Sequence, residues 1–431
     1  MSYKIGMVSL GCAKNLIDSE MMLAMFDPSS FSLTDDPSEA DLIIVNTCGF
    51  IASAKKESID TIMEMAQYHA KIAVVGCLAE RYYDELKGSL QEADLIIPIK
   101  DYKDLPALLS HLIGVKDGIK ALDPMKRIVS TPKYSAYLRI SEGCNNFCSF
   151  CAIPFIRGRF VSRPFIDILL EAKELRDKGV KEISLISQDT TRYGFDFKGQ
   201  RPNIADLLKE LDKMGFYSIR LLYLYPDEIS DELIGLIASS RSIAHYFDIP
   251  VQAGSDQMLK AMKRHGDKKQ IVDLFKKIKE RIPDAVTRTT FICGFPGESE
   301  ADHQETLNFL DEIRFDHVGA FAYSREEGTA AYSYPNQIDE KIKEKRLGEL
   351  MDHQKRISYE NNRKRIGEVM EGIVVSYDSS NGLYGLRSIW NAPDGIDGVI
   401  SFSSKEKLSI GDLAKVKITG AFVYDLMGER I

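Results

Sequence analysis

The sequence predicts an α/β protein in three blocks: an N-terminal α/β domain around a parallel sheet, a central partial TIM-type (β/α)6 barrel, and a small C-terminal β-barrel of the OB-like sort. Apolar strand-like runs alternate with helical periodicity through residues 1–125, and the alternation resumes over 134–365. Short β-patterned segments separated by turns replace it over 366–431. A chain of 431 residues has room for roughly two to four domains, so three are expected.

In the first block, the apolar runs are YKIGMVSL, ADLIIVN, KIAVVG and ADLIIPI, which predicts βαβ units and a parallel sheet. Cys12, Cys48 and Cys77 follow the first three runs, each beside a glycine. Open α/β sheets bind ligands outside the carboxyl ends of their strands, so these three thiols are expected to converge there. Burial as a structural cysteine is the alternative for any one of them taken singly.

A tighter cysteine motif, CNNFCSFC, leaves the end of the strand-like run AYLRI. It places Cys144, Cys148 and Cys151 in a C-x3-C-x2-C spacing with no fourth cysteine nearby. Structural zinc requires four closed ligands, usually in two pairs. A [4Fe-4S] cube held by three cysteines keeps one iron open for another ligand. The motif therefore predicts an iron–sulfur site, the alternative being three unrelated loop cysteines.

The central block contains six strand candidates: AYLRISEG, EISLISQ, SIRLLYLY, YFDIPVQ, TRTTFICGF and HVGAFAY. Active sites of such barrels gather at the carboxyl ends of the strands, where Gln188 and Asp189 follow the second candidate. The glycine-rich turn GFPGE either supports a ligand or is only turn chemistry. Cys293, inside an apolar strand, is expected to pack in the core. A charged helix over 341–365 is expected to brace the barrel through one packed stripe.

Composition limits the cellular context. No apolar run approaches the length of a membrane-spanning helix, and the start MSYKIGMVSLGC lacks a secretory pattern, so a cytoplasmic protein is expected. Seven cysteines with one tight triplet favour a reducing compartment and metal ligation. The net charge of -8, and nine acids against six bases from Ile366 onward, make nucleic acid an unexpected substrate.

Over essentially its whole length the chain resembles the methylthiotransferases, a family of radical S-adenosylmethionine (SAM) enzymes. The phrases that carry the resemblance are SLGCAKN, VNTCGF, VVGCLAE, SEGCNNFCSFCAIP, RGRFVSRP, VQAGS and GFPGE. The family order implies an N-terminal methylthiotransferase domain at 1–125, a radical SAM domain at 134–365 and a TRAM domain at 366–431. It also implies two [4Fe-4S] clusters. One, on Cys144, Cys148 and Cys151, would bind SAM; the auxiliary one, on Cys12, Cys48 and Cys77, would carry sulfur.

Further phrases resemble the RimO type, which modifies an aspartate of small-subunit ribosomal protein twelve; they are SLISQDTTRYG, RLLYLYPDEI, YFDIPVQAGS, APDGIDGVI and ITGAFVYDLMG. The implied reaction adds a methylthio group to the β-carbon of that aspartate. Its unactivated C–H bond calls for a radical cofactor. A flavodoxin or ferredoxin would supply the electron. Gln188, Asp189 and Arg157 are candidates for orienting SAM and the aspartate, and Phe150 for flanking the adenine; no side chain is assigned as catalytic.

Two other functions remain open from the sequence. A tRNA adenosine methylthiotransferase of the MiaB type would share both clusters but needs a basic groove. A non-enzymatic iron–sulfur carrier would not need a barrel mouth large enough for SAM. The acidic C-terminal block is expected to meet a basic protein through exposed acids such as Glu368, Asp394 and Asp397.

Overall fold

A computed structural model describes residues 3–199, 201–393 and 395–431 of the chain. Its N-terminal part is a five-stranded, wholly parallel sheet in the order β2-β1-β3-β4-β5, which confirms the predicted α/β architecture. The strands are β1 (Tyr3–Ser9), β2 (Phe31–Leu33), β3 (Leu42–Thr47), β4 (Lys71–Gly76) and β5 (Leu95–Ile96). The helices are α1 (Ala13–Leu23), α2 (Ala52–Met65), α3 (Cys77–Arg81), α4 (Tyr83–Ser89) and α5 (Leu105–Ile113).

Two details of this sheet differ from the sequence pattern. Strand β2 was not predicted, because FSL is too short to show a period. The run ADLIIPI forms only the two residues of β5. Pro98 lacks an amide hydrogen and cannot continue a strand ladder. The other three runs form β1, β3 and β4, so the strands that precede the three cysteines are confirmed.

The middle of the chain forms an open, partial barrel. Two parallel three-stranded sheets, β6-β9-β10 and β11-β12-β13, are joined by a parallel bridge between Ile219 and Ile243. The strands are β6 (Ser135–Arg139), β7 (Ser141–Glu142), β8 (Val161–Ser162), β9 (Glu182–Ile186), β10 (Ser218–Leu221), β11 (Tyr246–Asp248), β12 (Val286–Cys293) and β13 (His317–Ala322). The helices are α6 (Ile153–Ile156), α7 (Phe165–Asp177), α8 (Ile204–Asp212), α9 (Asp231–Ser239), α10 (Asp256–Ala261), α11 (Lys268–Arg281), α12 (Glu300–Ile313) and α13 (Glu340–Lys364).

Helix α13 is the charged helix that the sequence predicts, and it follows the last barrel strand and packs on β13 and β12. Its buried stripe is more polar than expected. Leu350 and Ile357 are buried, but so are Lys343 and Arg346, while Ile342 lies on the exposed side. Because each buried cation has a hydrogen-bonded partner, the stripe braces the barrel through polar contacts as well as apolar ones.

The last part of the chain is a closed barrel of five strands in the order β14-β15-β16-β18-β17, with β17 returning to β14. The strands are β14 (Val369–Asp378), β15 (Leu383–Ser388), β16 (Ile400–Ser403), β17 (Leu413–Ala421) and β18 (Leu426–Arg430). Irregular register within β14 and β17 marks bulges, which help a small barrel to curve closed. Closure leaves no free sheet edge.

This C-terminal barrel is fastened to the central barrel by buried polar contacts. Arg220, fully buried, donates hydrogen bonds of 3.1 Å to the carbonyl oxygens of Ser388 and Ile389. Arg288 donates to Asp397 at 3.2 Å, and the hydroxyl of Tyr246 donates to the same carboxylate. The two barrels are therefore held at a specific angle, since buried charged partners tolerate little displacement.

These contacts correct one expectation. The sequence predicts that Asp397 is an exposed acid for partner binding, but it is only 4% exposed and holds the two barrels together. Glu368 is exposed and pairs with Arg365, and Asp394 lies outside the described residues. Within the described part of the chain, no helix combines the length and apolar character needed to cross a membrane.

Candidate functional site

The first cysteine triplet, Cys12, Cys48 and Cys77, lies at one edge of the N-terminal sheet. The register pairs Ser9 with Asn46 and Thr47 with Gly76, so β1, β3 and β4 end level with one another. The strand order reverses direction at β1 and β3, and such a switch point opens a crevice at the carboxyl ends of parallel strands. The structure thus brings together three cysteines separated by 36 and 29 residues along the chain.

The turns that carry these cysteines touch one another. A Cβ added to Gly11 would come within 2.9 Å of Cys48 Cβ, and one on Gly49 within 2.7 Å of Leu78 Cα. Gly76 has a φ of +93°, and a Cβ there would lie 2.4 Å from Asn46 Oδ1. Each glycine beside a predicted ligand is therefore required by close backbone approach.

Hydrogen bonds fix two of the three cysteines further, Cys48 through its backbone and Cys77 through its sulfur. Ser58 of α2 accepts the amide hydrogen of Cys48 at 3.0 Å and donates its hydroxyl to the carbonyl of the same residue at 2.9 Å. Cys77 Sγ lies 3.6 Å from Asn15 Oδ1. Burial raises the pKa of the Cys77 thiol to about 12, although Arg157 acts in the opposite direction. A buried thiol of this kind becomes a thiolate only when a cation replaces its proton.

The second triplet, Cys144, Cys148 and Cys151, lies in the loop after β6 and β7. The loop turns back at Gly143, whose φ is +72° and whose position leaves no room for a Cβ against the carbonyl of Arg159. The amide of Cys144 donates to the carbonyl of Gly158, and that of Cys151 to the carbonyl of Cys148. The predicted exit from a strand end is confirmed.

Neighbouring barrel loops anchor this cysteine loop. Asn146 donates to Asp189 at 2.8 Å, and Thr191 donates to the other oxygen of that carboxylate at 2.7 Å. Burial raises the pKa of Asp189. Ser149 donates its amide and hydroxyl to the carbonyls of Met262 and Ala261. The loop is therefore held by residues that follow β9 and by the end of α10.

Two side chains from other barrel loops lie against Cys148. Tyr225 Oη and Arg264 Nη1 are each 3.6 Å from its sulfur, and the guanidinium also stacks 3.9 Å over the Tyr225 ring. Both groups can donate a hydrogen bond to this sulfur, so they hold its position at the mouth of the barrel. The sequence marks Tyr225 only as a residue that follows a strand, and nothing in its pattern marks Arg264.

The two triplets meet across the boundary between the N-terminal sheet and the barrel. Cys77 packs in one small buried cluster with Ala152, which directly follows Cys151, and with Ile156, five residues after Cys151. Arg157, the next residue, donates to Asp18 at 2.6 Å and to Asn15 at 2.5 Å, both on α1. Although burial alone would raise it, the pKa of Asp18 is held below its usual value by Arg157 and Arg139.

The remaining sequence candidates lie in different places. Gln188 donates to Glu142 at 2.7 Å, beside the cysteine loop, and its buried Oε1 has no hydrogen-bond partner among the described residues. Phe150 packs against the barrel core. Cys293 is buried in β12, as predicted. The GFPGE turn is closed internally, because the Gly294 amide donates to Glu298, which also pairs with Arg346.

The donor sets fit two iron–sulfur clusters better than two zinc ions. Each triplet offers three thiols, and no three His, Cys, Asp or Glu side chains of the described ranges are grouped closely enough to hold a single ion. A [4Fe-4S] cluster bound by three cysteines has one iron open to another ligand, so it needs no fourth protein ligand. Beside the barrel triplet, Gln188 Oε1 and Asn146 Oδ1 have no hydrogen-bond partner in the part of the chain that the structure describes, so these oxygens are available to a ligand.

Comparison with protein families matches three models to the chain. They are the uncharacterized protein family UPF0004 over residues 4–98, the radical SAM superfamily over 138–310 and the TRAM domain over 366–431. Among solved structures, the radical SAM methyltransferase TsrM from Kitasatospora setae superposes with a TM-score of 0.56 at 14% identity. The match covers 86% of this chain and 81% of that one, and it shows the shared fold.

Relatives of known name match nearly end to end. Proteins of Desulforamulus reducens and Clostridium botulinum, each named ribosomal protein uS12 methylthiotransferase RimO, are 45% and 46% identical over 440 residues. The matches cover 99% of this chain and 99% and 98% of the relatives. A third, from Clostridioides difficile, is 44% identical over 439 residues. The chain therefore belongs to the RimO family of radical SAM methylthiotransferases.

Proposed function

We propose that this protein adds a methylthio group to the β-carbon of an aspartate in ribosomal protein uS12, using SAM and two [4Fe-4S] clusters. One observation carries the proposal: two three-cysteine sets from separate parts of the chain meet where Cys77 packs against Ala152, directly after Cys151. The site that supplies sulfur and the site that removes the hydrogen must face the same carbon, because the sulfur is added where the hydrogen is removed. The assignment of all six cysteines as ligands is part of this proposal.

When bound, the clusters and SAM would supply the methylated sulfur and the radical that removes the hydrogen from the β-carbon. The chain's own residues bind, orient and shield. Asp189 and Asn146 position the barrel cysteine loop, while Asp18 and Arg157 fix it against α1. Gln188, with one partnerless oxygen at the loop, is a polar contact for the bound ligand.

Partners and context follow from the reaction. The substrate is a ribosomal protein, and the electron is supplied by a flavodoxin or ferredoxin in the cytoplasm. The three functional blocks are 1–125, 134–365 and 366–431. The exposed part of the C-terminal barrel, with its excess of acids, suits a basic protein better than a nucleic acid.

The alternatives have less support. Transfer to a tRNA adenosine would agree with the paired cysteine sets, but the relatives at 43–46% identity are named for ribosomal protein uS12. An iron–sulfur carrier without enzymatic activity would not need a radical SAM domain.

The test is intact-mass analysis of uS12 from cells with and without the gene, with fragmentation to locate the modified residue. A mass increase of one methylthio group replacing one hydrogen, on an aspartate and only in cells with the gene, is expected. Modification of tRNA without modification of uS12 would reject the proposal.

A further inference from the structure

Lys14, on the first turn of α1, is a largely buried lysine whose ammonium has no polar partner among the described residues. Only 7% of the residue is exposed. In residues 3–199, 201–393 and 395–431 its ammonium makes no hydrogen bond and no ion pair, and it lies 3.3 Å above the centre of the Tyr223 ring. The stem of the side chain is buried, whereas the ammonium keeps contact with open space. The protein uses none of its three donors and the ring face engages only part of the charge, so the ammonium can bind an anionic ligand.

The position of Lys14 places that ligand between the two cysteine triplets. It is two residues after Cys12, which precedes α1. Tyr223 lies after β10, two residues before Tyr225, whose hydroxyl is 3.6 Å from Cys148 Sγ. The lysine therefore spans from the N-terminal triplet toward the barrel triplet.

The arginines around the same space are occupied. Arg139 pairs with Asp18 and Glu142, and Arg157 with Asp18 and Asn15. Arg264 donates to the carbonyl of Pro250 and contacts Cys148. Among the described residues around this space, Lys14 is the buried cation whose side chain has no hydrogen-bond or ion-pair partner.

We propose that Lys14 binds the side-chain carboxylate of the acceptor residue, and that it makes the enzyme select an aspartate over a neutral residue. The inference rests on the proposed function. In an aspartate the reacting β-carbon is bonded directly to the carboxylate carbon. A group that binds this carboxylate must therefore lie close to both sites. Lys14 follows Cys12 by two residues, and its ammonium contacts Tyr223 in the barrel loop that also carries Tyr225.

A site that pairs a buried charge rejects a substrate lacking that charge, because its own ion is then left without a partner. Charge-assisted hydrogen bonds of this kind correspond to about 10- to 100-fold in affinity. The carboxylate of SAM has the same chemistry and could meet the same lysine. The experiment below separates the two sources by changing the acceptor alone.

The experiment is a double-mutant cycle on the reconstituted full-length holoprotein, measured as equilibrium affinity for recombinant uS12. Its two changes are Lys14→Met in the enzyme and aspartate to asparagine at the modified position of uS12. Each single change is expected to weaken binding by about 10- to 100-fold. The two together are expected to weaken it no further, because both remove the same ion pair.

Independent, multiplying effects of the two changes would overturn the proposal. Weaker SAM binding by Lys14→Met together with such independence would assign the lysine to SAM. Loss of iron from the N-terminal triplet together with independence would assign it to the cluster. Wild-type enzyme that modifies no aspartate of uS12 would instead reject the proposed function itself.

Two further variants control for folding. Lys14→Arg keeps a cation and is expected to retain the preference for aspartate over asparagine even if its absolute affinity falls. Failure of the arginine variant to discriminate while it still binds uS12 would also contradict the proposal. Lys4→Met, on β1 at a surface ion pair with Glu39, removes a lysine remote from the triplets and is expected to change neither affinity nor discrimination.

Discussion

The two cysteine triplets supply equal numbers of thiols but are built in opposite ways. Cys144, Cys148 and Cys151 lie within eight residues on one loop, and hydrogen bonds from several barrel loops hold that loop. Cys12, Cys48 and Cys77 come from three separate strand ends and converge only because β1, β3 and β4 are adjacent and level. The first site depends on local chain geometry, whereas the second depends on correct folding of a whole sheet.

The largest expected effect comes from removing the barrel triplet. Changing Cys144, Cys148 and Cys151 together to Ala should abolish reductive SAM cleavage and, with it, all methylthio transfer. Iron bound at the N-terminal triplet should remain, because its ligands lie in another sheet. Iron analysis and 5'-deoxyadenosine formation measure the two effects. Loss of all iron from a folded variant would show that the triplets are not independent.

A second change tests whether the N-terminal site depends on its turns. Gly76→Ala forces a side chain into a φ of +93° and against Asn46 and Thr47. Backbone strain alone should destabilise the N-terminal sheet by about 1–3 kcal/mol. Transfer activity should fall much more than SAM cleavage.

Gly88→Ala is the matched control, because a Cβ at Gly88 meets nothing within 4 Å. Thermal unfolding followed with both activity assays makes the comparison. Equal losses of cleavage and transfer in Gly76→Ala would mean that the turn supports the whole protein rather than one site.

The contact of Arg157 with α1, which joins the two sites, should give the next largest effect. Arg157→Ala removes the partner that Asp18 and Asn15 share with the barrel loop, and leaves Asp18 with Arg139 alone. Breaking a buried ion pair typically costs about 3–5 kcal/mol. Unfolding of the variant in urea should show this loss, with transfer reduced more than SAM cleavage. A variant as stable as the wild type would mean that Arg157 is not what joins the two parts.

The smallest expected effect is a difference in pH response between the acids beside the two triplets. Asp18 has a folded-state pKa below its usual 3.8, so its stabilisation is present above that value and is lost as the pH falls through the lower folded pKa. Asp189 has a raised pKa because it is buried. Ionising it therefore lowers the stability of the folded protein, and this effect grows as the pH rises, opposite to the pH dependence of Asp18.

Stability measured against pH for Asp18→Asn and Asp189→Asn checks these signs. The loss of unfolding free energy in Asp18→Asn, relative to the wild type, should become smaller in acid, below the usual pKa of aspartate. The free energy of unfolding of Asp189→Asn, relative to that of the wild type, should increase as the pH rises through the raised pKa of Asp189. Parallel curves for the two variants would contradict the assigned causes.

The sequence predicts the three-part fold and the strand ends that carry all six cysteines, because period and spacing are local properties. It does not predict contacts that join distant segments. Asp397 looked like one more surface acid, yet Arg288 and Tyr246 bury it between two barrels. Lys14 and Tyr223 are more than two hundred residues apart, and nothing local marks either as the other's neighbour. The position of Gln188 and Asp189 after a strand marks both as candidates, but the sequence does not predict their hydrogen-bond partners Glu142 and Asn146.

The most direct measurement of the central claim compares two activities in a single variant. With Cys12, Cys48 and Cys77 all changed to Ala, the holoprotein should still cleave SAM reductively to 5'-deoxyadenosine, since the barrel triplet and its anchors are intact. It should transfer no methylthio group to uS12. Continued transfer by this variant would show that the N-terminal triplet is structural, and the account of two facing sites would then be wrong.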